Sequence, residues 1–299
     1  MKFLVSGAKG LIGASLVSAW RSQGHHVLAL VRPPGQSSPN TILWDPPHQA
    51  PDLQRMEGLD AVVHLSGAPI ARGRWTPARK EVIRSSRIDS TRLLAHTLSR
   101  LKTPPKVWIN ASAVGFYGNR GQEILTEKSA PGHGFLSDVC KAWEASADLG
   151  NKKATRIVHL RTGIVLSLQG GTLPLMKLPF QWGLGGPLGS GHQYISWITL
   201  EDVCGIIRQA VMDTRFHGPI NVVSPAPVTN LEFSKTLAAT LHRPCLVRVP
   251  ASVARFVLGE MADALLFSSI RAKPAALEQW GYRFLFPDLS HALQHLLRP

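Results

Sequence analysis

The chain opens with KFLVSGAKGLIG, an apolar run that leads directly into glycines at positions 7, 10 and 13. The run reads as a buried strand, and the apolar spacing over about residues 11 to 23 reads as the helix that follows it. Each glycine answers a separate demand at such a junction. The first permits a tight turn, the second lets backbone approach a pyrophosphate, and the third lets helix and strand pack closely. The amino end of the helix then turns its unpaired N–H groups toward the anion. HVLALVR supplies the next strand, so the opening is a full βαβ unit and dinucleotide binding is favoured over a purely structural turn.

A site of this kind that selects NAD usually ends its second strand on an acid, which holds the ribose 2′-hydroxyl. Here the strand ends in LVRPPG, with Arg32 where the acid would stand. A planar guanidinium pairs well with a 2′-phosphate, and Lys9 in the glycine loop adds charge, so NADP(H) is the expected cofactor. The alternative for Arg32 is an exposed strand-end residue. Asp45 in LWDP is a candidate acceptor for the adenine amino group, or an ordinary turn aspartate.

Strand and helix signals keep alternating. TILW, AVVHLS, KVWINAS and TRIVHLR read as further strands, and Thr76 as cap with Pro77 at the first position opens the longest helix. The alternation predicts an α/β fold, a Rossmann-type doubly wound parallel sheet with helices on both faces. After Gly163 the pattern breaks into GGTLPLMKLPFQWGLGGPLGSGHQ, rich in glycine and proline, and the C-terminal segment is punctuated by proline. We therefore expect a nucleotide domain over residues 1–165, rejoined by 192–224, and a smaller interleaved substrate domain from 166–191 and 225–299.

The formal charge of +14 is concentrated in places: Arg72, Arg74, Arg79, Lys80, Arg84, Arg87, Arg92 and Arg100 share a stretch whose only acids are Glu81 and Asp89. Nucleic acid is disfavoured as a partner, because aromatics do not interleave with these residues and no zinc spacing or helix-turn-helix signature occurs. No metal site is expected. A solvated basic surface is the plainer reading, although Lys80, Arg84 and Arg87 share one helix face. Three widely separated cysteines suit a reducing compartment, the apolar start lacks a persuasive cleavage site, and later apolar runs are too short to span a bilayer. The expected protein is cytoplasmic, without a membrane partner, and a homodimer is left open.

Several motifs resemble those of the extended short-chain dehydrogenase/reductase family. SGAKGLIG is similar to its glycine loop, DAVVHLSGAP to its fourth-strand segment and ASAVGFYG to its serine-bearing strand end, with Glu127, KAWE, Arg161 and WITLEDV continuing the likeness. RWTPARKEVIRSSRIDSTRLL, GLGGPLGSGHQYISWI, NVVSPAPVTNLEFS and GYRFLFPDLSHAL resemble more closely the YfcH-type, epimerase-like subfamily, whose C-terminal domain has no assigned function. The resemblance implies a Rossmann core with NADP bound at Gly7, Lys9, Gly10, Leu11, Ile12, Gly13 and Arg32, with Asp45, Leu65, Ser66, Gly67 and Lys141 completing the cofactor wall.

Chemistry in that family uses a tyrosine to exchange a proton with substrate and a lysine four residues later that lowers the tyrosine pKa and holds the nicotinamide ribose. The resemblance puts Ser137 at the tyrosine position and keeps Lys141. A serine hydroxyl is too weak an acid to replace that phenol without a base beside it. Tyr117 is the preferred substitute, the alternative being a tyrosine packed at the pocket wall with its hydroxyl on backbone. Ser112 is similar to the serine that bonds the reacting oxygen, or is polar wall beside the cofactor. Glu127 is a candidate base if burial raises its pKa, or a loop glutamate that caps or pairs. Arg74, Arg87, Gln193 and Trp197 are assigned to the substrate side, Trp197 being equally compatible with core; an arginine there favours an anionic small molecule. Two functions follow: an NADP(H)-binding oxidoreductase or epimerase of a small polar substrate, a sugar derivative being one candidate, or a catalytically silent NADP(H)-binding sensor or scaffold.

Overall fold

The computed structural model describes residues 1–46, 48–150 and 155–297. The region assigned above to the C-terminal domain runs to 299, and its last two residues lie outside the described residues. Seven strands form one parallel sheet: β1 (Lys2–Ser6), β2 (His26–Val31), β3 (Thr41–Leu43), β4 (Ala61–His64), β5 (Val107–Ala113), β6 (Arg156–Thr162) and β7 (Gly218–Val222). Their spatial order is β3-β2-β1-β4-β5-β6-β7, the Rossmann arrangement, with the chain reversing its direction of travel between β1 and β4. A crevice opens at the carboxyl ends of the strands at that reversal.

The strands are apolar on both faces because helices cover both. On one side α1 (Leu11–Ser22) contributes Leu16 and Trp20 to a core with Phe3, Val5, Ile109 and Leu160. On the other, α2 (Pro77–Ser99) packs Leu94, Ala95 and Leu98 against Leu4, Val62 and Trp108. Each such aliphatic side chain, fully buried, contributes roughly 1.5–3 kcal/mol. Thr76 caps α2, its hydroxyl accepting from the Arg79 N–H at 3.1 Å with Pro77 at the first position, as the sequence predicts. α3 (Phe135–Ala145) follows a glycine-bounded loop and precedes β6.

A third core lies beyond the sheet. The glycine- and proline-rich segment contains α4 (Leu173–Gln181), a helix that carries Pro174 and Pro179. Pro174 sits in the first turn, where its missing N–H costs nothing, and α4 ends two residues after Pro179. Leu173 and Phe180 pack with Trp197, Phe233 and Leu237 of α6 (Asn230–Thr240) and Leu293 of α8 (Leu289–Leu297). Between these helices in sequence run α5 (Leu200–Met212), on the sheet, and α7 (Ala251–Leu258). Thr199 caps α5, its hydroxyl accepting from the Asp202 N–H, and the Asp202 carboxylate accepts from the backbone N–H groups of Leu285 and Phe286 at 2.8 and 3.1 Å, tying the C-terminal segment to α5. Among the described residues no helix is long and apolar enough to cross a membrane, and no group of His, Cys, Asp and Glu is arranged to hold a metal ion.

Candidate cofactor and active site

The glycine loop closes on the end of β4. Gly7 adopts φ 68°, and a β-carbon there would stand 2.9 Å from the carbonyl carbon and oxygen of Leu65. A β-carbon on Gly13 would collide with the Gly7 carbonyl oxygen. Gly10 is the N-cap of α1 and supplies no side chain, so the first N–H groups of the helix are open to an anion. Ser6 fixes the crossing: its Oγ donates to His64 Nδ1 at 2.6 Å and accepts from the N–H groups of Leu65 and Ser66. His64 is fully buried, and desolvation pushes its pKa down to about 3, so it is held neutral.

Beside this loop lies a cavity of about 200 Å³ lined by Arg32, Trp44, Pro46, Ser66, Gly67 and Ser90, among others. Arg32 is exposed at its rim, and Lys9, Leu11 and Ile12 follow Gly7 around the turn, with Lys9 exposed and the two apolar side chains half-buried. Asp45 is not in the lining; its backbone closes a turn with Gln49 through N–H···O bonds of 2.9 and 2.8 Å. The cradle formed by Gly7, Gly10 and Gly13 leaves no room for side chains at Gly7 and Gly13, and the cavity beside it carries one cation, Arg32, in its lining.

At the carboxyl ends of β5, β6 and β7 the sheet register places Ser112, Arg161 and Asn221 side by side. Arg161 donates to both carboxylate oxygens of Glu144 on α3, each at 2.9 Å, and stacks 3.5 Å from the Phe116 ring centroid. Burial works against its charge, but Glu144 and Tyr117 outweigh that and hold the Arg161 pKa above its usual value. Ser112 Oγ donates to Glu144 Oε1 at 2.6 Å. The Tyr117 hydroxyl lies 2.7 Å from Asn221 Oδ1 and 3.0 Å from the Thr126 carbonyl and accepts from Arg161 Nη1 at 3.1 Å. Glu127 Oε1 accepts from the Asn221 N–H at 3.0 Å; burial raises the Glu127 pKa, against the pull of the Asn221 and Ala276 backbone N–H groups.

α3 presents Leu136, Cys140 and Glu144, spaced by four, to this cluster. A β-carbon on Gly115, in the turn after β5, would stand 3.4 Å from Leu136 Cβ and 3.8 Å from Cys140 Sγ. Burial, with the Glu144 carboxylate adding to it, pushes the Cys140 thiol up to about 12. Ser137 is buried under the helix start, donating to the carbonyls of Phe116 and Gly132. Lys141 lies on the outer side, 41% exposed, and pairs with Asp138 Oδ1 at 2.6 Å.

Compared with known proteins, residues 3–137 match the NAD dependent epimerase/dehydratase family and residues 249–296 match a domain of unknown function. An epimerase family protein of Mycobacterium tuberculosis, MT2273, is 39% identical over 289 residues, covering 97% of this chain and 95% of that one. The chain belongs to the epimerase family. The human epimerase family protein SDR39U1 is 35% identical over 99% of this chain and its full length. A crystal structure of human SDR39U1 (isoform 2) with NADPH superposes with a TM-score of 0.90 at 33% identity, covering 99% of each chain. A nucleoside-diphosphate sugar epimerase from Corynebacterium glutamicum gives 0.81 at 36% identity over 99% of this chain and 58% of that one.

Within this epimerase-family fold the residues singled out from sequence separate into groups. The glycine loop, Arg32, Leu65, Ser66 and Gly67 come together, and Ser112, Tyr117 and Glu127 share one network with Arg161. Five residues sit outside the site roles given them, Trp197 among them in the core that was its alternative. Tyr117 has no exposed surface and its hydroxyl is fully engaged by protein, so in this geometry it has no open side for a substrate. Lys141 points away from the strand ends, because the helix face that meets them is the one carrying Cys140. Trp197 is wholly enclosed in the third core, with Nε1 on the Ala226 carbonyl, and Gln193 braces the Leu188 and Leu266 carbonyls. Arg74 reaches across to cap α7, donating to the Phe256 and Val257 carbonyls. Sequence reading missed Glu144, Asn221 and Cys140; the spacing of four from Leu136 through Cys140 to Glu144 was the available signal.

Proposed function

We propose that this protein binds NADP(H) and acts as an oxidoreductase or epimerase on a small polar substrate. The observation that carries the reading is the pairing of a side-chain-free cradle at Gly7, Gly10 and Gly13 with a cavity whose rim cation is Arg32. The NADPH bound in the structure of human SDR39U1 supports the same cofactor here. When bound, the nicotinamide supplies or accepts hydride.

The chain's own groups handle the proton. Ser112 Oγ passes its hydrogen to Glu144 and, among the described residues, accepts from no protein donor. Its free lone pairs suit the O–H of a substrate alcohol: as Ser112 takes that proton, its own moves onto Glu144. A carboxylate behind the serine supplies the base that serine lacks. Arg161 keeps Glu144 in place, and Tyr117 and Asn221 keep Arg161 in place. In this scheme Tyr117 is a positioning residue, and α3 brings Leu136 and Cys140 to the strand ends, with Ser137 on backbone carbonyls and Lys141 on Asp138.

A second reading is favoured by that last feature. Leu136 and a Cys140 thiol held at about 12 offer no proton at neutral pH, which suits a protein that binds NADP(H) without turning it over. Anaerobic mixing of the protein with NADPH and with NADP⁺ against nucleotide sugars, hydroxy acids and their keto forms separates the two. The oxidoreductase reading expects absorbance change with at least one compound and its loss in Ser112→Ala with cofactor affinity kept. Cofactor binding with neither absorbance change nor an epimerised product from any compound favours the silent protein.

A further inference from the structure

α2 turns Arg87 inward. Its Cζ lies 5.1 Å from the Trp143 ring centroid on α3, and a β-carbon on Gly67 would stand 3.2 Å from Cζ and 3.3 Å from Nη2. Nη1 donates to the Ile83 carbonyl at 2.9 Å. Among the described residues that is the only hydrogen bond of its guanidinium, and the ionisable groups that act on it are the Cys140 thiol, which burial keeps protonated, and another cation, Arg79. No carboxylate pairs with it. Burial lowers its pKa, opposed by Cys140 and reinforced by Arg79.

Two cations near it are compensated by carboxylates, and half-buried Arg156 at least donates from two nitrogens to the Phe216 and Ala210 carbonyls. Arg161 is held by both oxygens of Glu144, and Lys80, on the same helix as Arg87, pairs with Glu260 at 2.5 Å. A desolvated cation without counter-charge opposes folding, so its position calls for an anion that arrives later. Direction narrows the source. Ser86 and Ser90, on the neighbouring face of α2, line the cavity that carries Arg32, whereas Arg87 is absent from that lining and faces Trp143 and Cys140. A lysine at position 140 would crowd the guanidinium with a second positive charge; a small thiol leaves room for it.

We infer that Arg87 is the seat of an oxyanion, a carboxylate or phosphate group of the substrate, at the boundary between the cofactor cradle and the strand ends. This rests on the cofactor reading above and names the substrate class within it. The cofactor's own pyrophosphate offers the same chemistry, and the experiment separates the two.

The full chain is first titrated with NADPH, then saturated with NADP⁺ so that the Arg32 site is filled, and titrated with inorganic phosphate at constant ionic strength by calorimetry. Phosphate is expected to bind the saturated wild type, to bind Arg87→Gln about tenfold or more weakly, and to recover in part with Arg87→Lys, while NADPH affinity stays within about twofold in both variants. Arg87→Met keeps the packing on Trp143 and is expected to raise the ligand-free Tm, whereas a structural cation would give a lower one. If NADPH affinity falls about tenfold in Arg87→Gln and phosphate ignores the saturated wild type, the oxyanion is the cofactor's and the substrate assignment is overturned. If neither titration depends on Arg87, the seat itself is overturned. Failure of wild-type protein to bind NADPH counts against the cofactor reading instead, before any variant is made.

Discussion

Ser112 Oγ and Glu144 Oε1 stand 2.6 Å apart, a hydrogen bond that joins the end of β5 to α3 through a carboxylate already holding Arg161. Removing that charge leaves a buried guanidinium unpaired. Glu144→Gln is expected to cost about 3–5 kcal/mol in urea unfolding, and adding Arg161→Met to recover a large part of it. Equal losses in the single and double variants would show that the pair is not coupled.

Tyr117→Phe removes one hydroxyl from a site where it meets Asn221, Thr126 and Arg161. Stability is expected to fall by about 1–3 kcal/mol, since the partners stay buried, while NADPH affinity is unchanged. Titration and unfolding of the same preparation check this: unchanged stability with lost turnover or binding would return the hydroxyl to the role of proton donor.

The glycines of the cofactor loop are predicted to fail differently. Gly13→Ala drives a methyl into the Gly7 carbonyl and is expected to lose about 1–3 kcal/mol of stability along with NADPH binding. Gly10→Ala has an ordinary φ of −78° and a nearest neighbour at 3.2 Å, so the fold should survive while the methyl intrudes on the pyrophosphate. Thermal unfolding and NADPH fluorescence titration of both variants distinguish the two effects, and a matched response in the two would contradict the assignment.

His64 predicts an acid-side loss of stability. Its folded pKa of about 3 lies below the unfolded value of 6.5, so below pH 6.5 the unfolded chain binds the extra proton. The stabilisation from keeping His64 neutral is therefore full at low proton demand, above pH 6.5. It declines by about 1.4 kcal/mol per pH unit as pH falls from 6.5 toward 3. Urea midpoints from pH 7 to 5 should fall for the wild type and more shallowly for His64→Gln; parallel slopes would remove His64 from the account.

The sheet was legible because β1, β2, β4 and β5 are continuous apolar runs separated by turn residues and helices of ordinary length. The cradle was legible for the same local reason, glycines at fixed offsets after a strand. α4 was hidden by its two prolines, and α7 by the short proline-bounded segment around it. The site resisted reading where it depends on contacts distant in sequence. Nothing local to YG shows that Tyr117 will be covered by Asn221, 104 residues later, or that α3 will turn Cys140 inward instead of Lys141. One position along a helix is a rotation of about 100°, enough to exchange an interior residue for an exposed one.

Calorimetric titration of the full chain with NADPH and NADH tests most directly the proposal that the fold holds NADP(H) through its 2′-phosphate. We predict that NADPH binds about 10- to 100-fold more tightly than NADH, and that Arg32→Gln removes the difference by weakening NADPH alone. Equal affinity for the two nucleotides, or a preference that Arg32→Gln leaves intact, would contradict it.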